Sequence, residues 1–228
     1  MTMLDPWIVA LVAVGVLLVL FAVTVALQRR RLRQMQERLD GMQRLLEERA
    51  QQLERATKAI RDEATGDDLT GLATHRSFQE ALRQQWRRTA RSRLPLTVLM
   101  IDVDGLMSYN DVKGQQAGDE CLRQIGTTLV QQLQRPGDLI ARYGGDEFAA
   151  LLAETDASGG MAVAERMRHA VENLHLAWGP NVEGQTLTIS VGVATTVPVP
   201  QEQPGSILAA ADRALAVAKR NGRNRVEM

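Results

Sequence analysis

Two adjacent glycines, Gly144 and Gly145, stand between an apolar run at Leu139–Ala141 and a second at Phe148–Ala153. Apolar runs of this kind read as strands, and glycines that tolerate φ > 0 let the chain reverse between them. The segment is therefore predicted to be a β-hairpin with positive φ at both glycines. Asp146 and Glu147 follow at once, which sets two carboxylates at the tip. Taken alone, they suit a ligand-binding turn or an ordinary solvated one.

The rest of the C-terminal two-thirds alternates apolar strands with longer amphipathic helices. Helices are predicted over Thr74–Ser92, Ala117–Gln134, Gly160–Leu174 and Pro204–Arg220, and strands over Leu96–Val103 and Thr186–Ala194. One hairpin among such units indicates an α/β (α+β) domain, a mixed sheet flanked by helices, from about Thr65. Asp67-Asp68-Leu69-Thr70-Gly71 supplies turn and capping chemistry at its entrance.

A different pattern precedes it. Residues 7–27 carry no charge and are mostly Val, Leu, Ala and Ile. As a helix they would span roughly 31 Å, enough to cross a bilayer's hydrocarbon core. Arg29, Arg30, Arg31 and Arg33 follow, against Asp5 alone on the other side. That bias predicts a single-pass inner-membrane anchor with residues 1–6 outside and the C-terminal part in the cytoplasm. A cleaved signal peptide would want a basic start and a shorter apolar core. Residues 28–64 then place Leu32, Met35, Leu39, Met42, Leu46, Leu53, Ala56 and Ile60 on a seam of alternating threes and fours, with Arg49 in the skipped position. A parallel coiled coil, hence a homodimer, is expected, because a lone helix would leave the stripe in water.

Composition narrows the chemistry. Lys plus Arg and Asp plus Glu both number 27, so there is no basic footprint for nucleic acid. The one cysteine, Cys121, reads as a packed thiol, and His75, His169 and His175 lack metal-ligand spacing. The run Leu96–Asp104 instead ends in Asp102 and Asp104, two residues apart and on one face of a strand. Asp102 and Asp146 could hold a hard cation such as Mg²⁺ together with substrate phosphates; ordinary loop initiation is the alternative for the Asp-Val-Asp end.

Arg142-Tyr-Gly-Gly-Asp-Glu-Phe148 resembles the signature of the GGDEF family, the diguanylate cyclases. The likeness continues through Asp67-Asp-Leu-Thr-Gly-Leu72, Asp102-Val-Asp104, Asn110-Asp111, Gly118-Asp119, Ser190-Val-Gly192, Ala211-Asp212 and Ala218-Lys-Arg-Asn-Gly-Arg-Asn224, in consistent order over about residues 65–228. The resemblance implies a ferredoxin-like, palm-type core on which two domains each hold one GTP and join them into cyclic di-GMP. It implies metal ligation by Asp102, the Val103 carbonyl and Asp146, with Mg²⁺ as the ion and Mn²⁺ as a substitute. Asp146 also matches the proton acceptor, Asn110 and Asp119 the guanine-recognising positions, and Lys219 and Arg223 the triphosphate-binding pair. Arg135-Pro-Gly-Asp138 and Arg166 match an inhibitory site for the product.

Some positions depart from the family pattern. Met107 replaces a phosphate-contacting lysine, a loss of about 1.5–3 kcal/mol if that contact were fully made, or roughly tenfold or more in GTP affinity. Leu106, Gln115 and Ala216 replace phenylalanine, histidine and tyrosine, and Thr74-His75 an Asn-Arg pair. No metal, base or guanine position is lost, so an active cyclase is expected. A catalytically weak module acting as a receptor for cyclic di-GMP or GTP is the alternative.

Overall fold

The computed structural model describes Arg49 and residues 66–177 and 186–228. In chain order the elements are β1 (Ala73–Thr74), α1 (His75–Ser92), β2 (Leu96–Asp104), α2 (Leu106–Lys113), α3 (Gln115–Gln131), β3 (Leu139–Arg142), β4 (Glu147–Ala153), α4 (Ala157–Glu172), β5 (Thr188–Thr196), α5 (Gly205–Arg220) and β6 (Val226–Glu227). Described residues from 66 onward all lie in one compact unit, Asp62–Met228.

Strand β2 is buried at every position, with apolar residues on both faces from Val98 to Ile101, as befits a strand in the middle of the sheet. It pairs antiparallel with β4 on one side and β5 on the other. The strands run in the order β1-β3-β4-β2-β5-β6, with β1 and β6 added parallel at the two edges. This is the mixed sheet flanked by helices that the sequence predicts.

Alternation along β2 builds two cores. Leu96, Val98 and Met100 pack with Phe78, Leu82 and Trp86 of α1 and Ile207, Ala211 and Leu215 of α5. Leu99, Ile101 and Val103 pack on the other face with Leu122, Ile125 and Leu129 of α3 and Ala164, Met167 and Val171 of α4. Asp102 and Asp104 continue the first series, so both carboxylates emerge on the α5 side. Cys121 is a buried free thiol, as expected.

Element ends follow local chemistry. Thr74 caps α1 by accepting from the Ser77 amide, and Asp156 caps α4 by accepting from Gly159, which starts that helix three residues before the predicted Gly160. Helix α3 begins at Gln115 rather than Ala117 because Gly114, at φ 84°, separates it from the unpredicted helix α2. The hairpin forms, but its register is shifted by one residue from that of a two-glycine turn: Arg142 lies opposite Phe148 rather than Glu147. Gly144 and Gly145 are absent from the positive-φ residues, and a four-residue connection, Tyr143 to Asp146, replaces the two-glycine turn. Tyr143 and Gly144 both donate their amides to the Glu147 carbonyl, at 2.8 and 3.2 Å.

The predicted membrane segment 7–27 and coil 28–64 lie outside the described residues, apart from Arg49, which is helical and exposed. No helix among the described residues is long and apolar enough to cross a membrane.

Helix α5 lies directly on the backbone of β5. A Cβ on Gly192 would overlap the Ala211 carbonyl and the Leu215 amide, with Leu215 Cα at 2.8 Å. None of these can rotate away. Gly192→Ala is expected to lift α5 and cost about 3 kcal/mol, seen as a fall in Tm of roughly 6–12 °C by calorimetry. An unchanged Tm would show that the helix is less tightly seated.

Candidate active site

The two acids at the end of β2 have different partners. Asp102 and Asp104 are 8% and 7% exposed, and carboxylates that deep must be compensated. Asp104 is saturated: it accepts from the Thr188 hydroxyl at 2.8 Å, the Ser190 hydroxyl at 2.7 Å and the Asn224 amide at 3.1 Å. Asp102 has one charged partner, Lys219 Nζ, at 2.6 Å. Burial pushes its pKa up, and Lys219 opposes this only in part while Asp146 and Asp104 push it further up. A carboxylate held above its ordinary range is one whose charge is under-compensated, and a hard cation would relieve it.

Asp146 stands beside it through backbone pairing. Asp102 lies opposite Glu147 across the β2–β4 ladder, and Val103 donates its amide to the Asp146 carbonyl at 3.2 Å. Among the described residues no three or more His, Cys, Asp or Glu side chains are grouped so as to hold a metal ion by themselves. Two carboxylates and a main-chain oxygen would make only a partial shell for a hard cation, leaving positions for water and other oxygen ligands.

Arg142 fixes the loop that carries Asp146. Its Nε and Nη2 donate to the Gly145 carbonyl at 3.1 and 2.7 Å, and Nη1 to Asp67 at 3.2 Å. These bonds hold Gly145 away from the primed-turn geometry. Tyr143 is pinned from α1: Gln79 donates to its hydroxyl at 3.0 Å, the His75 ring lies 4.1 Å away, and Phe78 meets it edge-on.

The predicted guanine residues sit on the facing helices α2 and α3. The Asn110 amide lies against Gly118, where any Cβ would overlap its Oδ1. Among the described residues that oxygen is buried without a hydrogen-bond partner. Asp119, half-exposed, is the next residue along α3 from Gly118.

Lys219 is on the last turn of α5 and Arg223 just beyond it. Lys219 leans on Asp102, while Arg223 Nε is 4.0 Å from Asp104 Oδ1 and its side chain is 62% exposed. The carboxylates and the predicted phosphate-binding cations therefore share one end of the sheet.

Arg135, Asp138 and Arg166 gather elsewhere. Arg135 donates to the Thr155 hydroxyl at 3.2 Å and Arg166 to the Gln132 carbonyl at 3.2 Å. Asp138 is pushed up by burial, which outweighs its backbone bonds and the Arg135 charge. Asp138 precedes β3 and Tyr143 follows it, so about 13 Å of strand separates this cluster from the hairpin loop.

The sequence reading did not single out Arg142, Asp67, Gly118, Arg168, Glu172 or Asn224 as site-forming, nor the saturated role of Asp104. Most lie inside the quoted motifs, yet nothing in a linear motif says which residue another will touch.

Residues 64–225 match the family described as "Diguanylate cyclase, GGDEF domain". Diguanylate cyclase DosC of Escherichia coli (strain K12) is 37% identical over 168 residues, covering 74% of this chain and 36% of that protein. The chain thus spans little more than a third of that relative's length. A crystal structure of the coiled coil and GGDEF domain of DgcB from Caulobacter crescentus, in complex with c-di-GMP, superposes with a TM-score of 0.66 at 30% identity, covering 81% of this chain and 96% of that one. Diguanylate cyclase SiaD, in complex with its activator SiaC from Pseudomonas aeruginosa, gives 0.64 at 30% identity over 96% of this chain and 82% of that one.

The Asp67–Arg142 contact carries a pH signature. Burial raises the Asp67 pKa, but hydrogen bonds from the Thr70 hydroxyl and amide and the Arg142 charge outweigh it, and the net direction is down from 3.8. Its stabilisation is therefore present above that value and lost as pH falls through the lower, folded-state value. The Tm difference between wild type and Asp67→Asn is expected to shrink on acidification from pH 5 to pH 2.5. A difference independent of pH would detach the clamp from Asp67 ionisation.

Proposed function

The chain belongs to the GGDEF family, and from that premise we propose a membrane-anchored, homodimeric diguanylate cyclase that condenses two GTP into cyclic di-GMP and two pyrophosphates. The observation that carries this reading is the buried Asp102 carboxylate, with Lys219 as its charged partner, set beside Asp146 at the sheet's end. Asp102, the Val103 carbonyl and Asp146 would hold Mg²⁺, or Mn²⁺ in its place. The ion supplies neutralisation of triphosphate charge and a more acidic attacking hydroxyl.

The remaining work falls to the chain's own residues. The Asn110 amide and the Asp119 carboxylate offer donor and acceptor capacity to the guanine edge. Lys219 and Arg223 pair with phosphate oxygens. The 3′-oxygen of one GTP bonds to the α-phosphorus of the other, the bond from that phosphorus to the bridging oxygen breaks, and pyrophosphate leaves. Asp146 takes the hydroxyl proton, and a second round closes the ring. One domain binds one GTP, so two must face each other. Dimerisation through residues 28–64, on a single-pass anchor at 7–27 with the catalytic domain in the cytoplasm, would supply that encounter. Arg135, Asp138 and Arg166 would bind the product and slow synthesis.

A receptor without turnover is the second reading, and Met107 favours it: 77% exposed, it brings no charge to the site. Incubating the detergent-solubilised chain with GTP and Mg²⁺ and chromatographing the nucleotides separates the two. Cyclic di-GMP is expected, and its formation should stop with EDTA and fall at least about 1,000-fold in Asp146→Ala at unchanged Tm. Cyclic di-GMP binding without any synthesis would favour the receptor. For feedback, Arg135→Ala should raise product yield at high conversion while leaving the initial rate within about twofold. A progress curve that plateaus as in wild type would remove the inhibitory role.

A further inference from the structure

We propose that Asn224, gripped by Arg168 and Glu172 of α4, is a positioning residue that presents Arg223 to the phosphates of the bound nucleotide. The proposal deepens the cyclase reading and rests on it for the ligand.

After α5 the chain passes through three consecutive residues at positive φ: Gly222 at 113°, Arg223 at 63° and Asn224 at 44°. Glycine takes such angles freely, whereas an arginine there is strained, and such strain persists only where the surroundings enforce it. The main chain supplies part of the restraint. The Arg223 amide donates to the Ala218 carbonyl at 3.0 Å, the Asn224 amide to Asp104 Oδ2 at 3.1 Å, and the Val191 amide to the Arg225 carbonyl at 2.9 Å.

The side chain of Asn224 supplies the rest. Its Oδ1 accepts from Arg168 Nη1 at 3.0 Å, and its Nδ2 donates to Glu172 Oε1 at 2.6 Å. Arg168 also donates to Glu172 Oε2 at 3.1 Å and Glu165 Oε2 at 2.8 Å, with its side chain only 12% exposed. The carboxamide is thus held at both ends by a pre-formed ion pair, and charge-assisted bonds of this kind are the strong ones. Helices α4 and α5 cover opposite faces of the sheet, so the grip ties the turn around the sheet's edge.

Among the described residues the Arg223 side chain makes only the long approach to Asp104, and it is mostly exposed. Its guanidinium is therefore aimed by backbone rather than by side-chain packing. A rigid turn lowers the entropy lost when a long cation closes on phosphate. Asn224 touches no ligand in this scheme; it acts through Arg223.

Steady-state kinetics on the solubilised full chain, with equilibrium binding of α,β-methylene-GTP, which cannot be cleaved at the reacting bond, test this. Asn224→Ala and Glu172→Gln are expected to raise the KM for GTP and the analogue's Kd about tenfold, with kcat within about twofold. Asn224→Gly, which tolerates the turn but lacks the carboxamide, should behave like the alanine variant. Adding Asn224→Ala to Arg223→Ala should weaken analogue binding no further. Multiplying losses in that double variant, or a lowered Tm with unchanged analogue affinity, would overturn the proposal. A wild type that binds the analogue but makes no cyclic di-GMP would sink the cyclase reading alone, leaving the affinity cycle to decide. A wild type that does not bind the analogue overturns both.

Discussion

Two carboxylates at the end of a fully buried strand set terms that much of this domain obeys. At the depth of Asp102 and Asp104, polar groups without partners would carry a large desolvation cost. The partners come from distant parts of the sequence: Lys219 from α5, Thr188 and Ser190 from β5, and the Asn224 amide from the turn beyond α5. The C-terminal segment is in this way tied to the central strand. The same contacts divide the labour between the two acids. Asp104 spends its acceptor capacity on structure, while Asp102 keeps charge to offer.

The hairpin obeys a related rule. Arg142 joins the Gly145 carbonyl to Asp67, so the entrance loop and the loop bearing Asp146 hold each other in place. Tyr143, fixed by Gln79 and the His75 ring, anchors the base of that loop to α1. Here the departures from the family pattern have local sense. Thr74 supplies the helix cap and His75 the ring against Tyr143. Ala216 is exposed on α5, where no core is lost by the missing ring. Met107 projects into solvent, so no core contact depends on it.

What could be read from the sequence was whatever repeats with a period or is carried by apolar composition. The apolar run of β2 ahead of its two aspartates, the hairpin strands and the amphipathic faces of α1, α3, α4 and α5 are of this kind. Helix α2 was not legible, because it has eight residues, begins after Gly105 at φ 83° and buries only Leu106 and Tyr109. The two-residue edge strands β1 and β6 are too short for alternation to register. The glycine turn was misread for a physical reason: a guanidinium on the Gly145 carbonyl overrides the preference that two glycines express alone. Site residues were legible as positions, through the family's ordered motifs, but not as contacts. That Lys219 rests on Asp102 and that Asp104 is saturated are facts of three-dimensional placement.

Helix α4 draws the remaining pieces together. Arg166, on one side, reaches the Gln132 carbonyl at the cluster that includes Arg135 and Asp138. Arg168, two residues on, reaches Asn224 beside Asp104. Two residues along a helix turn the side chain through roughly 200°, so one rigid element addresses two separate sites from nearly opposite faces. In the proposed reading, a ligand gripped by Arg166 would pull on the same helix whose other face holds the turn bearing Arg223. Because α4 is packed on the sheet through Ala164, Met167 and Val171, it cannot bend between those two residues and can only shift as a unit. Such a shift would act first on Asn224, whose amide bonds Asp104, before it reached Asp102 and its partner Lys219. Coupling between the clusters, where it occurs, should therefore act on nucleotide affinity ahead of the chemical step.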